Sequence, residues 1–269
     1  MGTENDDHDG DRNGRPRIWV LLIAGAVLIS GGWLMKPFPI FMFLGLAPFF
    51  AILDYTIETA RPSGRLENFW ENSEMILIGL VVFFLAAFQF DTSLIIKVLG
   101  LAILFTLPFL GFTFVHESLG PRTGKFIIIF FWLGIEYLLL KLQWPKQMVY
   151  LADSLQIVAD WFRWNNETGF LGVSFWILFA NWIFYAGTLR NGINWYLIVL
   201  GVMVVAGPII YSLSLNVKPI LRADMIELYK SNSVSIKAYE EKGELVARTC
   251  AWLSVLILLF AFVKSKISK

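Results

Sequence analysis

Eight apolar blocks dominate this chain, and most have the roughly 17–23 residues that carry a helix across a bilayer core of about 30 Å. They run Ile18–Met35, Phe38–Leu53, Met75–Phe90, Leu94–Val115, Phe126–Leu142, Phe170–Leu189, Ile193–Leu215 and Cys250–Val263. At about 20 residues each they use some 160 positions of the chain. That leaves no room for a large catalytic domain outside the membrane. Only 16% of the 269 residues are charged, against about one quarter in soluble domains. The expected fold class is therefore an all-α integral membrane protein, an eight-helix transmembrane bundle.

The ends and breaks of the blocks refine this reading. Residues 1–17 are polar and unpatterned, as in a disordered tail, and 18–269 form one transmembrane domain. Arg12, Arg15 and Arg17 resemble the basic start of a signal peptide, but no small-residue cleavage site follows, so the first helix is expected to be retained. Pro37, Pro39 and Pro48 predict an irregular second span, and Pro108 predicts a kink in the fourth, because proline removes a backbone donor that lipid cannot replace.

Loop cations set the orientation. With both termini cytoplasmic, the inner side holds Arg61, Arg65, Arg122, Lys125, Arg190, Lys264, Lys266 and Lys269 besides the three arginines of the tail. The outer side, before its last loop, holds Lys36, Lys97, Lys141, Lys146 and Arg163. Six more cations in the outer linker 216–248 weaken the contrast, accompanied by Asp224, Glu227, Glu240, Glu241 and Glu244.

Two loops carry further pattern. In the outer segment 143–168, Leu151, Leu155, Val158 and Phe162 recur at helical spacing opposite Asp153, Gln156 and Asp160, with Trp144, Trp161 and Trp164 nearby. This is either a short amphipathic helix lying in the outer headgroup layer or a segment packed on the outer face of the bundle. The inner loop 54–73 mixes both charge signs and is expected to be solvated.

Ionisable groups inside a span are costly and are usually paired or functional. Glu136, within FFWLGIEYLLLK, is the main candidate, as a membrane-embedded polar anchor or a lipid- or substrate-facing group. Trp144, Trp161, Trp164 and Thr168 are candidates for lipid or partner contact at the outer interface. Lys97 can snorkel to the interface, while Gln89, Asn181 and Asn194 can join helices through hydrogen bonds. His116–Glu117 reads as an interfacial pair, and Asn166–Glu167–Thr168 is a weak glycosylation match. The single cysteine, Cys250, excludes an intramolecular disulfide and a cysteine metal framework, and reads as a small buried hydrophobe. Two histidines are too few for a His-ligated metal, Gly-rich phosphate loops are missing, and a net charge of +1 gives no case for nucleic acid. No catalytic set, cofactor or metal is expected.

Four stretches resemble the membrane part of bacterial apolipoprotein N-acyltransferase. Pro37–Leu53, PFPIFMFLGLAPFFAIL, is similar to that family's second span, with a proline and an Ala-Pro near its end. Trp132…Glu136-Tyr137 is similar to a Trp…Glu-Phe/Tyr element of the fifth. WNNETGFLGVSFWILFAN, residues 164–181, resembles the Thr-Gly turn opening the sixth, with an Asn inside the span. Ala238–Glu244, AYEEKGE, resembles the approach to the final helix. The resemblance implies eight spans, cytoplasmic termini, a place in the bacterial inner membrane, and a periplasmic nitrilase-like domain between spans seven and eight.

The chain departs from that family where the chemistry lies. The nitrilase-like domain needs a few hundred residues for its Glu–Lys–Cys set, whereas 216–248 offers 33 and no cysteine. The family's Pro-Trp after the Glu is replaced by Gln147-Met148, with Trp144-Pro145 nearby in reverse order. The resemblance thus implies a non-catalytic relative, a structural or lipid- and lipoprotein-binding subunit of a cell-envelope complex in contact with membrane phospholipid. The alternatives are the membrane half of a split acyltransferase and, third, a lipid or small-molecule transporter, for which no internal repeat speaks.

Overall fold

The computed structural model describes residues 14–35, 38–59, 65–120, 124–142, 149–225 and 243–267. Among the described residues there are helices and turns and no strand. In chain order the helices are α1 (Gly14–Leu34), α2 (Met42–Gly45), α3 (Ala47–Thr59), α4 (Arg65–Ala87), α5 (Ile95–Leu119), α6 (Ile127–Leu142), α7 (Asn165–Thr168), α8 (Phe170–Thr188), α9 (Trp195–Ser214) and α10 (Leu245–Ile267). Short 3-10 turns at Pro39–Phe41 and Thr92–Leu94 precede α2 and α5, and a 3-10 helix, Leu151–Phe162, lies between α6 and α7.

Each apolar block is largely helix, and several of these helices have the length and apolarity of membrane spans. Five helical stretches, Pro39–Ile57, Thr92–Leu119, Phe170–Thr188, Trp195–Ser214 and Leu245–Ile267, are long and apolar enough to cross a bilayer. Ile18–Leu34 and Ser73–Ala87 are apolar but shorter, and α6 has 16 residues.

Proline governs the second block. Pro39 opens the 3-10 turn and Pro48 sits at the second position of α3, so the block is a turn, a four-residue helix and a longer helix. The break at Leu46 frees backbone amides inside an apolar bundle, where they need partners. Asn181 on α8 supplies them. Its Oδ1 accepts from Leu46 N at 2.7 Å and Ala47 N at 3.0 Å, and its Nδ2 donates to Met42 O and Ile177 O at 2.7 and 2.8 Å. The full capacity of the carboxamide is used, and the residue has 0% exposure.

Elsewhere α5 continues through Pro108 from Ile95 to Leu119. Its Thr106 and Thr113 return their hydroxyls to Ala102 O and Phe109 O. Trp132 of α6 packs between Phe83, Phe105 and Phe109, with ring centroids 4.7–6.3 Å apart, and joins α4, α5 and α6. Gly79 lets α4 approach α3 so closely that a Cβ there would collide with the Phe49 ring, the small-residue contact typical of membrane helix pairs.

Several expectations need correction. The loop 54–73 is mostly helix, because α3 runs on to Thr59 and α4 starts at Arg65; Asp54 and Thr56 are buried rather than solvated. The third block stops at Ala87, and Gln89 and Phe90 form a turn with φ of 55° and 57°, so Gln89 lies beyond the helix. The Asn194 side chain caps α9 by accepting from Tyr196 N and Leu197 N, and the tie to α8 is made by its backbone instead, which donates to Gly187 O at 2.8 Å. The segment 151–162 packs on α8 and α9 with Leu151, Leu155 and Phe162 buried, which is the packed alternative. Asp153 lies on its buried side and not among solvent-facing polar residues.

Replacing Asn181 with Leu strands two buried amides, at about 1–3 kcal/mol each. The variant is expected to unfold at lower SDS fraction than wild type, by about 2–4 kcal/mol in titrations of helicity.

Candidate functional site

Polar residues concentrate at the end of the bundle where α6 finishes and α8 begins. The 3-10 helix Leu151–Phe162 closes this end, and its first amides, which no preceding turn of helix pairs, are met by side chains from the bundle. Glu136, one percent exposed, accepts from Leu151 N at 3.0 Å and from Trp132 Nε1 at 3.2 Å, both through Oε1. Ser174 of α8 lies beside the same carboxylate and accepts from Ala152 N at 3.1 Å. Asp153 accepts from Tyr150 N at 2.9 Å and from Gln156 Nε2. Glu136 Oε2 has no hydrogen-bond partner among the described residues.

The chain leaving α9 is strapped across this cap. Ser212 Oγ accepts from Arg163 N at 2.6 Å and donates to Asp160 O at 2.7 Å. Arg163 Nη1 donates to Leu215 O at 2.8 Å. Asn165, with 0% exposure, pairs with the backbone of Ile220 in both directions, at 2.7 and 2.9 Å, as one strand does with another. Arg222 Nη1 reaches Asp153 Oδ2 at 3.4 Å. The chain returning to α10 is tied to α6 by Glu244, which pairs with Lys141 at 3.0 Å and accepts from Tyr137 OH at 3.3 Å.

Beside the cap, α8, α9 and the start of α10 enclose an open-sided cleft of about 580 Å³. Trp164 and Thr168 form its cap end and Phe175, Phe179 and Val204 its apolar wall. Trp164 packs edge-on against Trp176 at 5.5 Å, and Trp176 Nε1 donates to Val204 O at 2.7 Å, joining α8 to α9.

The expected site residues therefore divide. Glu136 sits under the cap, Trp164 and Thr168 share the cleft, and Trp161 is half-buried against the core. Asn181 lies apart from these, at the α2–α3 break. Trp144 lies outside the described residues. Lys97 places its ammonium 5.0 Å from the Phe88 ring near the start of α5, and Cys250 is buried in α10. Among the described residues no three His, Cys, Asp or Glu side chains converge as a metal site.

Sequence reasoning missed Asn165, Ser174, Ser212 and Arg222, each a polar residue of a type common in loops. It also missed a second cluster. Asp54 of α3 pairs with Lys125 and accepts from Tyr185 OH of α8. The one available signal was an acid ending the apolar run FFAILD.

No family model, curated protein or solved structure matches the chain.

Burial raises the Asp153 carboxyl from its ordinary value near 3.8 to about 6, partly opposed by Arg222, Tyr150 N–H and Gln156. A carboxyl raised in the folded state holds its proton more tightly there than in the unfolded chain. Its contribution therefore disfavours folding above about pH 6 and is relieved as pH falls toward 4. Asp153→Asn, which keeps an acceptor oxygen but cannot titrate, is expected to flatten the pH dependence of Tm between pH 7.5 and 5. Glu136→Leu removes the Leu151 N partner, with an expected loss of about 1–3 kcal/mol and faster deuterium exchange confined to residues 150–156.

Proposed function

We propose that this chain is a non-catalytic, apolipoprotein N-acyltransferase-like scaffold of the bacterial inner membrane. In that role it serves a cell-envelope complex as a structural or lipid- and lipoprotein-binding subunit, with the cap as its partner-binding face. The observation that carries this reading is the strap. At the point where the resembling family inserts its nitrilase-like domain, the chain leaving α9 is bound to the cap by Leu215 and Ile220, and the chain entering α10 is bound to α6 by Glu244. Both described ends of the connection are thus held to the bundle.

The chemistry agrees. Acyl transfer through a covalent intermediate needs a nucleophile activated by a base within hydrogen-bond reach. The linker 216–248 holds no cysteine, and the single thiol of the chain is buried in α10. What remains is a bundle with rigid polar closure and an apolar cleft beside it, a combination suited to holding lipid and presenting a docking face.

The test is purification of the full chain from native membranes in mild detergent, with identification of co-purifying chains and an acyl-transfer assay. The expected result is a stoichiometric envelope partner that is lost in Asn165→Ala, together with no transfer by the chain alone. A partnerless preparation that transfers acyl groups by itself overturns the proposal. A partner bearing a Glu–Lys–Cys set replaces it with the split-enzyme reading, and solute flux in liposomes replaces it with the transporter reading.

A further inference from the structure

Glu136 makes the hydrogen bonds of a carboxyl on one oxygen and none on the other. Oε1 accepts from Leu151 N and Trp132 Nε1, while Oε2 is buried and has no partner among the described residues. No lysine or arginine among them pairs with it. Lys141 of the same helix goes to Glu244, and Arg222 of the strap goes to Asp153. The other neighbours bring no countercharge. The cap contributes Tyr150 and Asp153, and α8 contributes Ser174. From α4 and α5 come only the phenylalanines around Trp132. On the α10 side, Glu244, Lys141 and Arg248 gather around Tyr137 instead. An ionised carboxylate in this place would bury a bare charged oxygen beside a second acid, which costs far more than burying the neutral acid.

The same carboxyl holds down the start of the cap. Leu151 N is received by Glu136 and Ala152 N by Ser174. At Val158, with φ −115° and ψ 43°, the helix is interrupted. Beyond that point Ser212 ties Asp160 and Arg163 to α9. Residues 151–157 can therefore lift as a unit, turning at Val158, while the later half stays bound. Once they lift, water reaches Glu136, and the acid ionises as it does in an open chain.

We propose that Glu136 is the proton-binding site of a latch: with its proton it keeps residues 151–157 of the cap down, and loss of that proton to water lets them lift. The ligand is a proton alone, and the latch works whether or not the cap meets a partner. The sign follows from linkage. A group that holds its proton in the closed state and gives it up in the open one favours closure in acid and opening in base. Asp153 acts in the same direction but over a lower range. Burial raises its carboxyl to about 6, so above that pH it is ionised in both states and the remaining pH dependence belongs to Glu136.

Two measurements on the full chain in nanodiscs test this. Infrared titration with isotopically labelled glutamate reads the acid itself. Wild type and Asp153→Asn are expected to show a neutral glutamic acid above about pH 6 that disappears in base, and Glu136→Gln is expected to lack it. Deuterium exchange, divided at each pH by the intrinsic rate of unstructured peptide, reads the latch. From about pH 6 to the pH at which the infrared band is lost, protection of Leu151 and Ala152 is expected to fall about tenfold per pH unit, the slope of one proton released. Residues 159–163 are expected to keep their protection. Asp153→Asn is expected to retain the fall. Glu136→Gln, which keeps an acceptor for Leu151 N but cannot ionise, is expected to abolish it.

The proposal is overturned if wild type shows no neutral glutamate above that pH, or if protection stays constant while the band titrates. Equal loss of protection across the whole cap, or a pH dependence that survives in Glu136→Gln, overturns it too. Should Glu136→Gln fail to fold, the wild-type and Asp153→Asn titrations decide alone. None of these outcomes bears on whether the chain has an envelope partner, so the latch and the scaffold stand or fall separately.

Discussion

A polypeptide in hydrocarbon cannot leave a backbone amide unpaired, and among the described residues two interruptions of helix are mended by side chains from neighbouring helices. One is the break before Pro48, where Asn181 takes up Leu46 N, Ala47 N and Met42 O with a single carboxamide. The other is the start of the 3-10 helix at Leu151, where Glu136 and Ser174 receive the first two amides. In both cases a polar side chain that is costly within a span is held there by an irregularity in its neighbour. Helical irregularity and buried polarity are two halves of one arrangement.

The cap extends the same logic outward. Its helix is packed by Leu151, Leu155 and Phe162, but its position is set by hydrogen bonds to α6, α8 and α9, and the strap after α9 adds Asn165 and Arg163 to that set. Apolar packing alone specifies little between surfaces that are all apolar. Directional bonds at the ends of the helices supply the register.

The membrane class and the helical character of the apolar blocks were legible in the sequence, because long apolar runs are a strong signal that needs no partner to interpret. Pro37, Pro39 and Pro48 made the irregular entry of the second block legible for the same reason. Glu136, Trp164 and Thr168 stood out as polar or amphipathic residues in apolar company. Pairings were not legible. Asn181 and Leu46 are separated by 135 positions, and nothing local distinguishes an asparagine that mends a broken helix from one that joins two intact ones. Asp54 was read as the start of a solvated loop, because a charge ending an apolar run is ambiguous until Lys125 and Tyr185 are seen around it. The cleft could not be read at all, since it depends on the absence of side chains at Gly172 and Gly207 on two different helices.

Asn181 and Tyr185 stand one turn apart on the same face of α8. The first grips the beginning of α3 and the second, through Asp54, grips its far portion, with Lys125 drawing in the start of α6. A helix pinned at two points along its length is fixed in register and rotation on its neighbour, so these bonds set how α3 sits on α8. By contrast, α9 and α10 bury little of their surface. Most of the surface that these two helices hide in a membrane is therefore covered by lipid and not by the rest of the chain.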